Sequence, residues 1–209
     1  MSNSPEKEII TRRAFGVVFI VALGGFLFGY QTGVISGALL FLTQQFSLSA
    51  IQQGSAVSII LVGACFGGLF AGAFVDQLGR KKATAINALV FLAGTFMTAY
   101  AETFALFLCG RFVTGLAVGI TTLTTPLYLA EIAPIHRRGA FVSLNQLAIT
   151  VGVLVSYGAC FLLARSQNWR LMIGWGALPA IVQLFAALFL FETPSWLLSQ
   201  GKREEARKV

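Results

Sequence analysis

A compact charged turn at residues 76–82, Asp-Gln-Leu-Gly-Arg-Lys-Lys, separates two long segments without charge. Residues 51–75 contain no ionisable side chain other than one cysteine, and residues 83–101 carry no charged side chain. As helices, segments of this length cross a hydrocarbon layer of about 30 Å. The turn then holds both helices at one face of a membrane. Its three cations place that face in the cytoplasm, because short cytoplasmic loops are enriched in positive charge.

The composition excludes a soluble domain and several classes of partner. Hydrophobic residues make up 56% of the chain and charged residues 11%, whereas about a quarter of a soluble domain is charged. The net charge of +7 comes from cations in loops that flank helices, so we expect no nucleic-acid partner. Cys65, Cys109 and Cys160 lie in three different apolar segments, and we expect no disulfide, no metal site and no cofactor.

Six membrane spans with both termini in the cytoplasm account for the distribution of charge. Twelve of the fifteen Lys and Arg fall in the N-terminal tail, two inner turns and the C-terminal segment. Two fall in outer loops, and Arg111 lies inside a span. We therefore expect a cytoplasmic tail at residues 1–13, a six-helix bundle at residues 14–191 and a cytoplasmic segment at residues 192–209 that starts a surface helix. The predicted helices cover about residues 14–43, 51–75, 83–101, 104–129, 139–164 and 171–191.

The second predicted helix carries two pairs of glycines at a spacing that lets a neighbouring helix approach closely. Gly63 and Gly67 form one pair, and Gly68 and Gly72 form the other. Just before this helix, the hydroxyl of Ser49 is a candidate N-cap. We expect helix packing at both glycine pairs.

Polar side chains inside the spans are the candidates for function, because an intramembrane charge or amide is costly unless it is paired or hydrated. Arg111 is the basic group inside a predicted span, and it begins a stripe along helix 4. At helical spacing, three helices carry such stripes: Arg111, Thr114, Val118, Thr121 and Thr125; Ser143, Gln146, Thr150 and Tyr157; and Phe28, Gln31 and Ile35. The three stripes suggest a hydrated central cavity, whose uncharged amides and aromatics suit a neutral polyhydroxylated ligand.

Each of these groups also has a structural interpretation. A Ser or Thr in a membrane helix commonly donates to the carbonyl four residues earlier. Gln31 and Gln146 are equally suited to hydrogen bonds between helices, and Arg111 to a structural role on backbone carbonyls. Catalysis is not expected, because the chain lacks a nucleophile elbow, paired intramembrane aspartates, a metalloprotease motif and a phosphate loop.

Several motifs together resemble the sugar porter family of the major facilitator superfamily. Residues 24–37 resemble that family's first helix, and Asp76-x-x-Gly79-Arg80-Lys81-Lys82 matches the superfamily's loop between helices 2 and 3. Residues 110–112, 126–134, 137–139 and 192–197 match the rest of the family pattern in order. The resemblance implies the N-terminal half of a transporter, a six-helix bundle of two inverted three-helix repeats in the cytoplasmic membrane. It also implies alternating-access transport of a hexose, pentose or polyol.

The resemblance also implies roles for individual residues. Phe28, Gln146 and Ile149 match positions that contact the sugar. Gln31 stands at the position where proton-coupled members carry Asp, and Arg111 matches the cation that pairs with that Asp. A cytoplasmic charge network, which latches the two halves in the outward-open state, is matched by Asp76, Arg80, Glu131, Arg138 and Glu192.

Three departures from the family pattern change these expectations. Gln31 cannot titrate, which argues against proton coupling and favours facilitated diffusion. Ser195 replaces the signature Arg and should weaken one contact of the cytoplasmic network. Family members have twelve helices, so the expected partners are a C-terminal half or a second copy of this chain, besides the bilayer and a monosaccharide or polyol. The alternatives are a non-transporting sugar-sensing or assembly partner, or a truncated fragment.

Overall fold

The computed structural model describes residues 5–133, 136 and 138–206, with side chains from residue 18 onward. Within these ranges the regular structure is helical. Pro134 and Arg137 of the second charged turn, and Arg207 near the C-terminus, lie outside the described residues. The helices are α1 Pro5–Phe46, α2 Ala50–Leu78, α3 Arg80–Ala99, α4 Phe104–Ile132, α5 Arg138–Leu163, α6 Trp169–Gly174, α7 Ala177–Ala187, α8 Pro194–Ser199 and α9 Arg203–Ala206.

Six segments of the described chain are long and apolar enough to cross a membrane. The first five correspond to α1 to α5, and the sixth covers residues 169–187. The six predicted spans are therefore confirmed in number and order. Their bounds differ at both ends of the bundle: α1 begins at Pro5, inside the segment expected to be a tail, and the expected surface helix after the bundle is two short helices, α8 and α9.

The sixth span is broken, whereas the sequence predicts one helix over residues 171–191. Helix α6 ends at Gly174 and α7 begins at Ala177. Pro179 explains the break, because proline has no N–H for the carbonyl of Trp175 and its ring crowds that carbonyl. The Trp175 carbonyl instead accepts from the N–H of Leu178 at 3.2 Å. The hydroxyl of Tyr30 donates to the carbonyl of Met172 at 2.6 Å, which anchors α6 to α1.

The helix contacts follow a two-fold pattern. The most extensive contacts join α2 to α4 and α1 to α5, and α3 packs on α4 as α6 packs on α1. If spans 1, 2 and 3 are exchanged with spans 4, 5 and 6, the α2–α4 contact becomes the α1–α5 contact. The α3–α4 contact likewise becomes the contact of α6 with α1. The bundle is therefore built as two packed three-helix repeats, as the sequence predicts.

Glycines set the distance between the paired helices. A methyl group on Gly29 of α1 would lie 1.9 Å from the carbonyl oxygen of Ile149 in α5. On α2, a methyl group on Gly67 would lie 2.1 Å from the carbonyl oxygen of Leu116 in α4. Such contacts bring backbones together in the way that small residues do in membranes. The prediction of close packing is confirmed for Gly63 and Gly67.

The second glycine pair of α2 leaves room for side chains. A methyl group on Gly68 or Gly72 would meet no atom within 4 Å. Gly68 still lies beside α4, because a methyl group on Gly119 would come within 2.6 Å of the backbone nitrogen of Gly68. The candidate cap just before α2 is confirmed, because Ser49 and Gln52 form a reciprocal capping box.

Two spans are much more exposed than the others. Only 22% of the most apolar window is buried in α2 and likewise in α5, compared with 61% in α1. Their outward side chains are large and apolar, and include Leu61, Leu69 and Phe70 on α2 and Leu147, Leu154 and Phe161 on α5. The bundle therefore presents two apolar helix faces that its own helices leave uncovered.

Gly67→Ala should destabilise the fold, whereas Gly68→Ala should not. The added methyl at residue 67 meets the backbone of α4, which cannot rearrange as a flexible side chain can, and overpacking of this kind costs about 1–3 kcal/mol. The measurement is thermal unfolding of the purified 209-residue chain in detergent. Equal melting midpoints for the two variants would contradict this account of the α2–α4 contact.

Candidate functional site

Gln31 of α1 and Arg111 of α4 are paired in the interior of the bundle. Each side chain is 1% exposed. Nη1 of Arg111 donates to Oε1 of Gln31 at 2.9 Å, and Nε2 of Gln31 donates to the Thr95 hydroxyl at 3.3 Å. The amide thus links three helices, α1, α3 and α4, as its interhelical interpretation predicts. Gln31 also meets the cation that the resemblance assigns to it.

The pairing leaves Arg111 with unused donors and no opposite charge. Its Nε and Nη2 atoms are buried without a hydrogen-bond partner. The ion pairs among the described residues all lie elsewhere: Arg80 pairs with Asp76 and Glu131, and Lys202 pairs with Glu205. The amide of Gln31 supplies a dipole rather than a charge, so the positive charge of Arg111 is not neutralised by any described side chain.

A cavity of about 100 Å³ lies beside this pair, between α1, α2 and α4. Its lining includes Phe28, Thr32, Ile35, Ile60, Arg111 and Val118. The structure thus brings together three of the sequence-predicted residues, Phe28, Gln31 and Arg111. The lining is largely apolar apart from Arg111 and Thr32, and the Thr32 hydroxyl already donates to the carbonyl of Phe28 at 2.9 Å.

The other two predicted sugar contacts, Gln146 and Ile149, lie on α5. The carbonyl of Ile149 sits against Gly29, one residue after Phe28, so α5 crosses α1 at the level of the cavity. Ile149 is half-buried and Gln146 is exposed. Neither residue lines the cavity beside Arg111. Of the four predicted substrate-binding residues, Phe28 and Gln31 therefore lie where α1 contacts α4, and Gln146 and Ile149 lie on α5.

Part of the α4 stripe lies at the cavity: Arg111 and Val118 line it, whereas Thr114, Thr121 and Thr125 are not among its lining residues. Thr114, Val118, Thr121 and Thr125 are all buried, because Gly24 of α1 and Gly94 of α3 let those helices close over the stripe. Thr114 and Thr121 donate to carbonyls four residues earlier, both at 2.9 Å. The alternative interpretation of these hydroxyls, as donors to their own helix, is confirmed for both. The α5 stripe, Ser143, Gln146, Thr150 and Tyr157, is exposed.

Arg80 organises a second polar site at the charged turn between α2 and α3. Its Nε and Nη2 atoms donate to the two carboxylate oxygens of Glu131 at 3.1 and 2.9 Å. Its Nη1 atom donates to Asp76 at 3.1 Å. The hydroxyl of Thr193 donates to Glu131 in a short hydrogen bond. A planar guanidinium with three engaged nitrogens thus connects α2, α3 and α4 in a geometry that lysine cannot reproduce.

Glu192 reaches the same turn from the end of the sixth span. Its Oε2 atom accepts from the backbone N–H of Lys81 at 3.2 Å, in the first turn of α3, where the helix dipole favours an anion. Gly79 has a φ of +84° and lies under this carboxylate, which a methyl group there would approach to 2.6 Å. The ammonium of Lys81 donates to the carbonyl of Leu188 at 2.8 Å. The positive φ favours glycine at residue 79, and the absence of a side chain leaves room for the Glu192 carboxylate.

Four of the five predicted network residues meet at this turn, and Arg138 does not. Asp76, Arg80, Glu131 and Glu192 are within one cluster of hydrogen bonds. Arg138 is exposed and forms no ion pair with the described residues. Ser195, which replaces the signature Arg, is likewise exposed.

Sequence reasoning missed two residues that complete the cluster of hydrogen bonds around Arg80. Thr193 caps α8 and bonds Glu131, and a Thr directly before a Pro is a helix-start signal that indicates it. Trp196 donates its indole N–H to the carbonyl of Asp76 at 2.8 Å. No local pattern indicates this second contact, because the two residues are 120 positions apart in sequence.

Comparison with known proteins assigns nearly the whole chain to one protein family. A family model described as "Sugar (and other) transporter" matches residues 17–209. A glucose transporter of Staphylococcus epidermidis is 42% identical, over 92% of this chain and 44% of its own length. A galactose-proton symporter of Escherichia coli is 38% identical, over 93% of this chain and 42% of its own. The chain thus spans less than half of either relative.

The fold matches a solved structure equally well. The proton:xylose symporter XylE from E. coli, bound to 6-bromo-6-deoxy-D-glucose, superimposes with a TM-score of 0.89 at 31% sequence identity. The match covers 94% of this chain and 48% of that one, and it falls on the N-terminal half of the symporter.

Arg80→Lys should destabilise the protein, whereas Lys82→Ala should have little effect. The single nitrogen of lysine cannot reach both carboxylate oxygens of Glu131 and that of Asp76 as the three guanidinium nitrogens do, and hydrogen bonds to charged groups contribute about 1.5–3 kcal/mol each. Lys82 is exposed and is in none of the described ion pairs, so its loss should stay within about 0.5 kcal/mol. Thermal unfolding in detergent measures both effects. A Lys82→Ala loss as large as that of Arg80→Lys would contradict the assignment.

Proposed function

Because this chain belongs to the sugar porter family of the major facilitator superfamily, we propose that it forms the N-terminal half of a sugar transporter that works by alternating access. The observation that carries the proposal is the family match over residues 17–209, together with the structural match to half of a xylose symporter. The substrate is a hexose, a pentose or a polyol. The described groups near Phe28 are apolar side chains, Thr32, the Gln31 amide and the Arg111 guanidinium, with no carboxylate among them.

In this proposal the sugar lies beside α1 and α5, on the side that the second bundle covers, in contact with Phe28, Gln31, Gln146 and Ile149. Two observations support the placement. The α1–α5 contact at Gly29 and Ile149 brings the two helices together at the level of Phe28. Gln146 is exposed on the uncovered face of α5, where its amide is free to bond a hydroxyl that approaches from that side.

The partner in transport is a second six-helix bundle, which covers the exposed faces of α2 and α5. Only 22% of the most apolar window of each of these helices is buried in the structure, and a methyl group on Gly68 or Gly72 of α2 would meet no atom within 4 Å. The partner is either a C-terminal half of the same family or a second copy of this chain. Both termini lie in the cytoplasm, since the cations cluster in the segments that this topology places there.

The cytoplasmic cluster acts as a latch between the two bundles. Asp76 keeps 71% of its side chain exposed while it holds Arg80, so its carboxylate remains available to a partner. Arg138, exposed at the start of α5, is a further contact on the partner side. In this proposal Arg80, Glu131 and Glu192 position the turn, and Asp76 and Arg138 face the second bundle.

Transport should be facilitated diffusion rather than proton symport. Gln31 holds the interior cation through a neutral amide, which carries no proton to exchange between the two sides. Gln31→Asp should therefore make uptake depend on pH, because a carboxylate at this position can titrate. Gln31→Asn is the control and should leave uptake independent of pH. A Gln31→Asp variant that transports with no pH dependence would contradict this role.

The function is tested by uptake of radiolabelled glucose and xylose into proteoliposomes. One sample contains this chain alone, with its oligomeric state measured in the same detergent. The other contains the chain fused to the C-terminal half of the S. epidermidis glucose transporter. Saturable uptake by a dimer of the chain identifies a second copy as the partner, and uptake by the fusion alone identifies a C-terminal half.

Gln146→Ala in the transporting sample should weaken apparent sugar affinity by about tenfold, the value of one lost hydrogen bond. Gln53→Ala, a substitution at the outer end of α2, is the control and should leave the affinity unchanged. If neither the chain nor the fusion binds or transports any of the sugars, the proposal is wrong. Binding without uptake would instead indicate a sugar-sensing component.

A further inference from the structure

A second cavity, larger than the one beside Arg111, is a groove on the outside of the bundle where α1, α5 and α7 meet. Its volume is about 540 Å³, and every side chain that lines it is apolar. Phe19 of α1 and Leu147 of α5 form its rim and remain largely exposed. A groove of this size without a polar side chain suits a hydrocarbon chain rather than a polar solute.

The groove exists because the two parts of the broken sixth span pack differently. Helix α6 contacts α1, α3 and α5, whereas α7 packs mainly on α1 and α3. Beyond the break, α7 therefore separates from α5, and α1 forms the floor between them. Pro179, at the break, lines one side, and the small side chains of Ala22 and Ala148 leave the centre open.

The groove lies on a different side of α1 and α5 from the proposed sugar contacts. Phe26 and Ala148 line the groove and are each two residues from a proposed contact, Phe28 and Gln146 respectively. Two residues of a helix point about 160° apart. Few residues of α5 are buried, so this helix is exposed on both sides. A second bundle over Gln146 would thus leave the groove facing the lipid.

Basic residues flank one end of the groove. Helices α1 and α5 run parallel, so their N-terminal ends lie at the same membrane face. Arg12 of α1 has the helical register of the groove floor, because Phe19 and Phe26 follow it by seven and fourteen residues. Arg138 is exposed at the start of α5 and precedes Leu144, the first lining residue of that helix, by about 9 Å. The sequence has no acidic residue between Arg12 and the end of α1, or anywhere in α5.

We propose that this groove binds an acyl chain of an anionic phospholipid, with the phosphate at the end where α1 carries Arg12. The apolar lining holds the chain, and Arg138 adds to the positive charge near the headgroup. Basic residues beside membrane helices favour anionic lipids, and long arginine side chains near helix ends reach the level of the headgroups. Lipid binding of this kind goes beyond sugar transport and does not depend on it.

The headgroup is tested by native mass spectrometry of the purified 209-residue chain in detergent. Phosphatidylglycerol and phosphatidylcholine with identical acyl chains are added in a concentration series. Phosphatidylglycerol should bind more tightly, and Arg12→Gln should weaken its binding about fivefold, the factor that one cation near an anionic headgroup contributes. Arg165→Gln removes an exposed arginine beyond the other end of α5 and should leave binding unchanged. Equal binding of the two lipids, or equal losses in the two variants, would overturn the proposal.

The groove itself is tested by changing its width. Ala148→Trp places a large side chain inside the groove and should weaken binding of both lipids at least tenfold. Leu154→Trp adds the same ring at an exposed position of α5 outside the lining and should have no effect. Phe19→Ala changes only the exposed rim, so it keeps the fold, and should also weaken binding of both lipids. Unchanged binding in Phe19→Ala and in folded Ala148→Trp would show that the lipid lies elsewhere and would overturn the proposal.

Discussion

Close approach of helix backbones is the constraint on which the rest of this structure depends. Apolar side chains gain little by leaving lipid for a protein interior, so helices in a bilayer associate by tight packing and polar contacts. Here Gly29 and Gly67 place α1 on α5 and α2 on α4 at distances that a single methyl group would prevent. The same contacts generate the two-fold pattern of the bundle, since α1–α5 and α2–α4 are equivalent pairs.

Tight packing also determines which polar groups are available to bind a ligand. Glycines in α1 and α3 allow these helices to cover the hydroxyls of α4, which then bond their own helix and are lost to any ligand. Arg111 and Gln31 are enclosed by the same packing and become partners. A small cavity lies beside Arg111, and Gln146 is exposed among the apolar side chains of the uncovered face of α5.

The cluster around Arg80 has a different role, which is to hold the ends of four spans together. Arg80 joins α2, α3 and α4 through two carboxylates, and Glu192 brings the end of the sixth span to the first turn of α3. Thr193 and Trp196 then fix α8 on the same turn. These hydrogen bonds hold the turn in place, and the carboxylate of Asp76 is exposed at its surface.

The sequence by itself determined the class of protein, the six spans, the cap at Ser49 and the charged turn at residues 76–82. These follow from hydropathy, charge position and short motifs, which act locally along the chain. Only the tertiary structure decided which glycines pack, that Pro179 breaks the sixth span, and that the hydroxyls of α4 are buried. It also decided that Gln31 leaves two donors of Arg111 unused. Those outcomes depend on which helix faces another, and helical periodicity defines a face without identifying its neighbour.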